Sequence, residues 1–244
     1  MNDVEPRIMK ILLIQCRTDA SAPHELACVQ THGQLDSDQI TVVNPVTYPG
    51  SLVAERVTDY DATMLGGSGE FCITHPDAFQ DAVDEIRPVL DVILAHDLPF
   101  LGMCLGHQVL AWHVGARVVT DPDQSQVGSY TVTVTEDGQV DPMFRGTPRQ
   151  FLAQHGHKDS VDELPAGAVH LTRGEKNTIS GYRIGLNVYC VQFHPELTLD
   201  DLMTRLALYP EYLKGQTIDE ARKGFRESPE APRILKNFLA RLNH

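Results

Sequence analysis

Cys104 stands between two glycines, each two residues away, in the run Gly102-Met103-Cys104-Leu105-Gly106. The run follows an apolar stretch (Leu98, Phe100, Leu101) and opens into a helical pattern, Gln108-Val109-Leu110-Ala111-Trp112-His113. A strand that turns at once into a helix with a nucleophile at the corner is a nucleophile elbow. The glycines relieve crowding, so the central side chain can hold a strained backbone conformation and project into a site. At a helix N-terminus the macrodipole and free N–H groups favour a thiolate over a thiol. A buried structural cysteine is the alternative, and the paired glycines in a strand–helix context favour a catalytic thiol over it.

The partners such a thiol needs stand further along, in Val188-Tyr189-Cys190-Val191-Gln192-Phe193-His194-Pro195-Glu196. The first six residues read as a strand buried on both faces. Period-two geometry puts His194 and Glu196 on the same side, and Pro195 stiffens the turn between them. That spacing suits a Cys–His–Glu triad. His194 takes the thiol proton, and Glu196 holds the imidazole in the required tautomer.

With these segments the chain resembles the class I (triad-type) glutamine amidotransferases, in particular the glutaminase domain of GMP synthase and its stand-alone relatives. Gly102-Met103-Cys104-Leu105-Gly106-His107-Gln108 matches the family's G-x-C-x-G-x-Q, and Phe193-His194-Pro195-Glu196 matches its F-H-P-E. Leu65-Gly66-Gly67-Ser68 is similar to its glycine-rich oxyanion strand. His157-Lys158-Asp159-Ser160-Val161 is similar to its H-x-D-x-V segment, with Lys158 where glycine is common. The resemblance covers about residues 8–198. It implies an open, mostly parallel, flavodoxin-like α/β sheet with helices on both faces. It also implies hydrolysis of a γ-glutamyl amide by Cys104, His194 and Glu196 through a thioester, without a cofactor. The backbones of Leu105, just after the nucleophile, and Gly67 are the natural oxyanion donors. Gly66, Gln108, His157 and Asp159 are expected to shape the substrate site.

The rest of the chain must position these groups. Residues 8–15, 41–43 and 60–65 read as strands, with a helix through Glu25-Leu26-Ala27-Cys28 between the first two. Residues 76–96 carry apolar side chains at helical spacing, and Pro88 predicts a break or kink near Arg87. This alternation implies parallel pairing, with ligands beyond the carboxyl ends of the strands, where Gly66-Gly67 and Cys104 fall. The second half reads as shorter strands at 130–135, 150–154, 168–172, 178–184 and 188–193, with a turn at Glu136-Asp137-Gly138. They suggest a small antiparallel extension of one domain spanning residues 1–244. The stretch 199–244 is helical in pattern, and Ile234, Leu235, Phe238, Leu239 and Leu242 predict an apolar face packed on the sheet. A partner-binding helix is the alternative.

Composition narrows the partners. The chain has 244 residues, 20 basic against 33 acidic, for a net charge of −13. No basic patch stands out, which argues against nucleic acid and anionic membrane. No apolar run reaches the ~20 residues of a membrane span, and the N-terminus lacks a signal peptide's pattern. The five cysteines are scattered, with no C-x-x-C, which predicts a reducing, cytoplasmic setting without a zinc knuckle. His155 and His157 form an H-x-H without a well-spaced third ligand, so no metal is expected.

The substrate expected is glutamine or another γ-glutamyl small molecule. No ATP-binding G-x-x-x-x-G-K-[ST] or Ser-Gly-Gly-x-Asp-Ser loop occurs. Two readings therefore follow, a glutaminase serving a separate synthetase or a self-sufficient γ-glutamyl hydrolase, and the motifs lean toward the glutaminase. An α/β-hydrolase orders its triad nucleophile, acid, histidine, whereas here the histidine precedes the acid. An inactive regulatory homologue is disfavoured because all three triad positions are filled.

Overall fold

The computed structural model describes residues 8–243. Five apolar segments form its parallel core: β1 (Ile11–Ile14), β2 (Ile40–Val43), β3 (Ala62–Leu65), β4 (Phe100–Met103) and, far along the chain, Val188–Val191. All residues of β1, β3 and β4 are buried, as expected of strands covered on both faces. Crossovers run through α1 (Ser21–Gly33), α2 (Gln80–His96) and α3 (Leu105–His113).

The segment Val188–Val191 is β11, and the remaining strands are β5 (Val118–Thr120), β6 (Gln126–Val134), β7 (Gln150–His157), β8 (Asp159–Val161), β9 (Val169–Gly174) and β10 (Gly181–Ile184). The sheet order is β2-β1-β3-β4-β11-β10-β9-β6-β7, and a separate pair joins β5 to β8. β10, β9, β6 and β7 are antiparallel additions that continue the parallel core in the same sheet. Period-two alternation divides the core. Leu12, Ile14, Leu65 and Phe100 pack with Val83 and Ile86 of α2 and Val109 of α3. Ile11, Leu13, Met64 and Leu101 face the other way, toward Val29 of α1 and the final helix.

α2 runs through Pro88 as one helix, so of the expected break or kink the break does not occur. Pro88 lies on the solvent face, where water can satisfy the carbonyl that loses its N–H partner. Residues 136–138 are likewise no simple turn. They begin a short helix, α4 (Glu136–Val140), because Thr135 Oγ1 accepts from the Gly138 N–H at 3.0 Å and caps it. The C-terminal region adds α5 (Leu199–Leu208), α6 (Ile218–Gly224) and α7 (Ala231–Ala240). Ile234, Leu235 and Phe238 of α7 are buried against the sheet, as the apolar periodicity predicted. No helix among the described residues is long and apolar enough to cross a membrane.

Candidate active site

Four of the parallel strands deliver their carboxyl ends to one edge. β1 leads to Arg17, β3 to Gly66 and Gly67, β4 to Cys104, and β11 to His194. This is the edge at which open α/β sheets hold ligands.

Cys104 has φ 53° and ψ −99°, a region a non-glycine residue enters only when its surroundings force it. The forcing contacts are visible. Its N–H donates to Val191 O at 2.9 Å, and the next turn is held by Gly106 N–H donating to Gly66 O at 3.2 Å. A Cβ on Gly106 would lie 2.3 Å from Leu65 O. One on Gly102 would lie 2.8 Å from both Cys190 Sγ and the Gly106 carbonyl. Both glycines are therefore required by close approach, and the corner aims Cys104 at the strand edge. The side chain is 3% exposed, with Sγ 3.9 Å from Gly156 O.

His194 has left the strand. Its N–H donates to Gln154 O at 2.9 Å, which fixes the backbone against β7. Its Nδ1 lies 2.8 Å from Glu196 Oε1. Because a carboxylate only accepts, Nδ1 carries the proton and Nε2 is the basic nitrogen. Burial works against a charged His194, but Glu196 and a Cys104 thiolate outweigh it and raise its pKa to about 9. Burial also opposes the Glu196 carboxylate, yet His194 and Arg205 hold its pKa well below the usual range. A methyl added at Gly67 would touch His194 Cε1 at 2.9 Å and Cys104 Cβ at 3.4 Å. The imidazole and the thiol thus meet around Gly67. The fold brings Cys104, His194 and Glu196 to the same strand edge.

Two neighbours were not anticipated. Arg205, on α5, places Nη1 3.0 Å from Glu196 Oε1 and is itself 5% exposed. The sequence did carry a signal, since Arg205 shares the apolar face of α5 with Leu202 and Leu206. Glu25 is fully buried on α1. It accepts from Arg17 Nε at 2.9 Å, from Gln15 Nε2 at 3.0 Å and from the Gly67 N–H at 3.1 Å. The Gly67 N–H is therefore engaged by a carboxylate in this conformation, and its expected service as an oxyanion donor requires that bond to open. Leu105 opens α3, where a first-turn N–H has no partner within the helix. Gly66 abuts the same carboxylate, with room for no side chain.

The expected substrate-shaping side chains of Gln108, His157 and Asp159 are buried. Gln108 Nε2 donates to Asp159 O at 2.7 Å and Gln192 Oε1 at 3.1 Å. Asp159 accepts from Thr120 Oγ1 at 2.6 Å and Thr74 Oγ1 at 2.8 Å. His157 Nδ1 lies 2.9 Å from Asp159 O, and burial depresses its pKa to about 4. These contacts tie α3, β5, β8 and the 68–79 loop together, so the three side chains brace the site from within the protein. The His155 and His157 rings sit 5.6 Å apart, and no group of three ligand side chains forms around them among the described residues.

Beside His194 lies a small cleft of about 30 Å³ lined by Arg17, Ser68, Gly156, His194, Tyr209 and Tyr212. Its outer wall comes from the end of α5 and the turn Pro210–Leu213. Tyr209 and Ser21 share a hydroxyl hydrogen bond of 2.8 Å, and the Tyr212 hydroxyl donates to Gly69 O at 3.3 Å. Lys158 Nζ stands 4.5 Å over the Tyr212 ring.

Comparison with known proteins agrees with this layout. The profile of the family "Glutamine amidotransferase class-I" matches residues 40–207. The glutamine-hydrolyzing GMP synthase subunit of Thermococcus kodakarensis is 36% identical over 102 residues, covering 41% of this chain and 52% of that protein. The chain thus spans about half the length of that relative. Gamma-glutamyl peptidase 4 of Arabidopsis thaliana is 30% identical over 195 residues, covering 75% of this chain and 74% of its own. In structure, a glutamine amidotransferase of Thermotoga maritima superposes with a TM-score of 0.75 over 97% of this chain and 99% of that one, at 22% identity, a likeness of fold. With the family profile spanning more than half of its length, the chain belongs to the class I glutamine amidotransferases.

Proposed function

We propose that the chain hydrolyses γ-glutamyl amide bonds with Cys104 as nucleophile, His194 as acid and base, and Glu196 as the group that orients and charges His194. The observation that carries this reading is the strained thiol at the strand edge beside an imidazole hydrogen-bonded to a buried carboxylate. Cys104 Sγ, its proton taken by His194 Nε2, attacks the γ-carbonyl and forms a C–S bond. The Leu105 N–H steadies the oxyanion, joined by the Gly67 N–H once it parts from Glu25. His194 protonates the amide nitrogen, the C–N bond breaks and the amine leaves. A water that has given its proton to His194 then attacks the thioester, releasing glutamate and restoring the thiol.

The leaving amine decides between the two readings. The motifs point to ammonia, passed to a separate synthetase. Two observations favour a self-sufficient hydrolase acting on a γ-glutamyl peptide or metabolite. The likeness to a γ-glutamyl peptidase runs over three quarters of both chains, and the cleft is walled by this chain's own Tyr209 and Tyr212. We take the hydrolase reading. The test is kcat/KM of the isolated chain for glutamine and for a panel of γ-glutamyl dipeptides. Dipeptides preferred by about tenfold or more support it. Glutamine preferred, or hydrolysis appearing only when a synthetase is added, assigns the chain to the glutaminases. No cleavage of any γ-glutamyl amide under either condition would overturn both.

A further inference from the structure

α1 carries His24, Cys28 and His32 at four-residue intervals, which places all three along one helix face. α5 packs on that face and brings Asp201 to it. His24 Nε2 lies 3.6 Å from Cys28 Sγ and 3.7 Å from Asp201 Oδ1. The three ligand atoms all lie within 4.8 Å of one another. Ligands bonded at about 2.1–2.3 Å to a tetrahedral ion stand roughly 3.5 Å apart, so both edges through Nε2 have tetrahedral length. The other carboxylate oxygen is fixed in place. Asp201 Oδ2 accepts from Thr198 N at 2.9 Å and Thr198 Oγ1 at 2.6 Å, and lies 3.0 Å from His32 Nε2. Such an outer shell orients a ligating carboxylate and leaves Oδ1 for the ion.

We propose that His24, Cys28 and Asp201 form a binding site for a thiophilic divalent cation of the Zn2+ type, with a fourth position open to water. Cys28 is 3% exposed and forms the floor, while the His24 and Asp201 side chains are 19% and 24% exposed and form the mouth. Sulfur and imidazole donors favour Zn2+ and Co2+ over Mg2+ and Ca2+, which require oxygen ligands. Binding releases the Cys28 proton to solvent, and the thiolate and carboxylate together balance the ion's charge. The site adjoins the catalytic groups through one side chain. Arg205 donates from Nε to His24 Nδ1 at 3.4 Å and from Nη1 to Glu196 at 3.0 Å. An ion on Nε2 leaves the neutral ring's proton on Nδ1, which ends the first contact and leaves Arg205 to Glu196 and the adjoining His194 ring. Asp201 is far from α1 in sequence, 169 residues beyond His32, so ligand spacing along the chain does not reveal the site.

The test is titration with Co2+ followed by absorption, on the wild type, Cys28→Ser, His24→Gln and Cys104→Ala. One cobalt per chain is expected, with a thiolate-to-metal band in the wild type and in Cys104→Ala. Cys28→Ser should lose the band, and His24→Gln should bind at least about tenfold more weakly. A band that survives Cys28→Ser but vanishes in Cys104→Ala would place the ion on the active-site thiol and overturn the proposal. So would the absence of a band in the wild type at millimolar cobalt. If Cys28→Ser fails to fold, His24→Gln alters a partly exposed side chain and decides by itself: undiminished affinity there also overturns the proposal.

Discussion

Replacing Glu196 by Gln keeps the shape of the side chain and removes the charge that faces His194. In the wild type that carboxylate overcomes the desolvation of a buried ring and, with the Cys104 thiolate, lifts His194 from 6.5 to about 9. At about 1.4 kcal/mol per pH unit the rise corresponds to about 3 kcal/mol in favour of the imidazolium. That net rise remains after burial has opposed it, so removing the carboxylate leaves the desolvation uncompensated, and kcat is expected to fall by roughly one to two orders of magnitude. Cys104→Ala or His194→Ala, which remove a reacting group, should cost more. The assay is steady-state release of the amine from a γ-glutamyl amide, paired with NMR titration of the His194 ring. In Glu196→Gln burial acts without the carboxylate, and the ring is expected to titrate below its wild-type value. Unchanged turnover, or a His194 pKa that stays near 9, would refute the role given to Glu196 and direct attention to Asp159.

Gly106→Ala places a methyl 2.3 Å from the Leu65 carbonyl. It is expected to cost about 1–3 kcal/mol of stability and most of the activity, read by chemical denaturation and turnover. Arg205→Met leaves Glu196 with His194 as its partner. It should lower stability by up to about 3 kcal/mol while reducing kcat less than Glu196→Gln does, because the His194–Glu196 bond survives. The His194 pKa is raised on folding from 6.5 to about 9, so its stabilising contribution is complete below about pH 6.5 and is lost as pH climbs through 9. Glu196 is depressed from 4.5, so its contribution is present above that value and is lost as pH falls below it. The stability gap between the wild type and Glu196→Gln should accordingly be widest near pH 5–6 and narrow toward pH 9.5 in denaturant titrations at each pH. A gap that widens with alkali would contradict the assignment.

The elbow was legible because steric exclusion fixes residue type: only glycine fits against the Leu65 carbonyl and the Cys190 sulfur. His194 and Glu196 were legible because a two-residue spacing across a proline turn determines their contact locally. Continuous apolar runs in β1 and β4 and the apolar face of α7 likewise carried the parallel core and the packing of the final helix. The missed features depend on tertiary placement. Nothing local says that Arg205 will reach back to Glu196, or that Glu25 will occupy the Gly67 N–H, since each needs two distant segments docked. The helix continues through Pro88 because the rule against internal proline assumes that the freed carbonyl lacks a partner, and on a solvent face water is one. The hydrogen bonds of Gln108, His157 and Asp159 to one another's segments were not legible, because they depend on how α3, β8 and the preceding loops dock.

The central claim is that Cys104 carries the glutamyl group. Intact-mass and peptide mass spectrometry of the protein treated with a γ-glutamyl diazoketone tests it most directly. Cys16 and Cys190 are fully buried, and their thiol pKa values are pushed up to about 12 by burial. Burial likewise raises those of Cys28 and Cys72. Only Cys104 combines the elbow with His194, so a single adduct on its tryptic peptide is expected, with loss of γ-glutamyl hydrolysis in step with labelling and no adduct in Cys104→Ala. An adduct on Cys72 or any other cysteine, or full activity after Cys104 is labelled, would contradict the account.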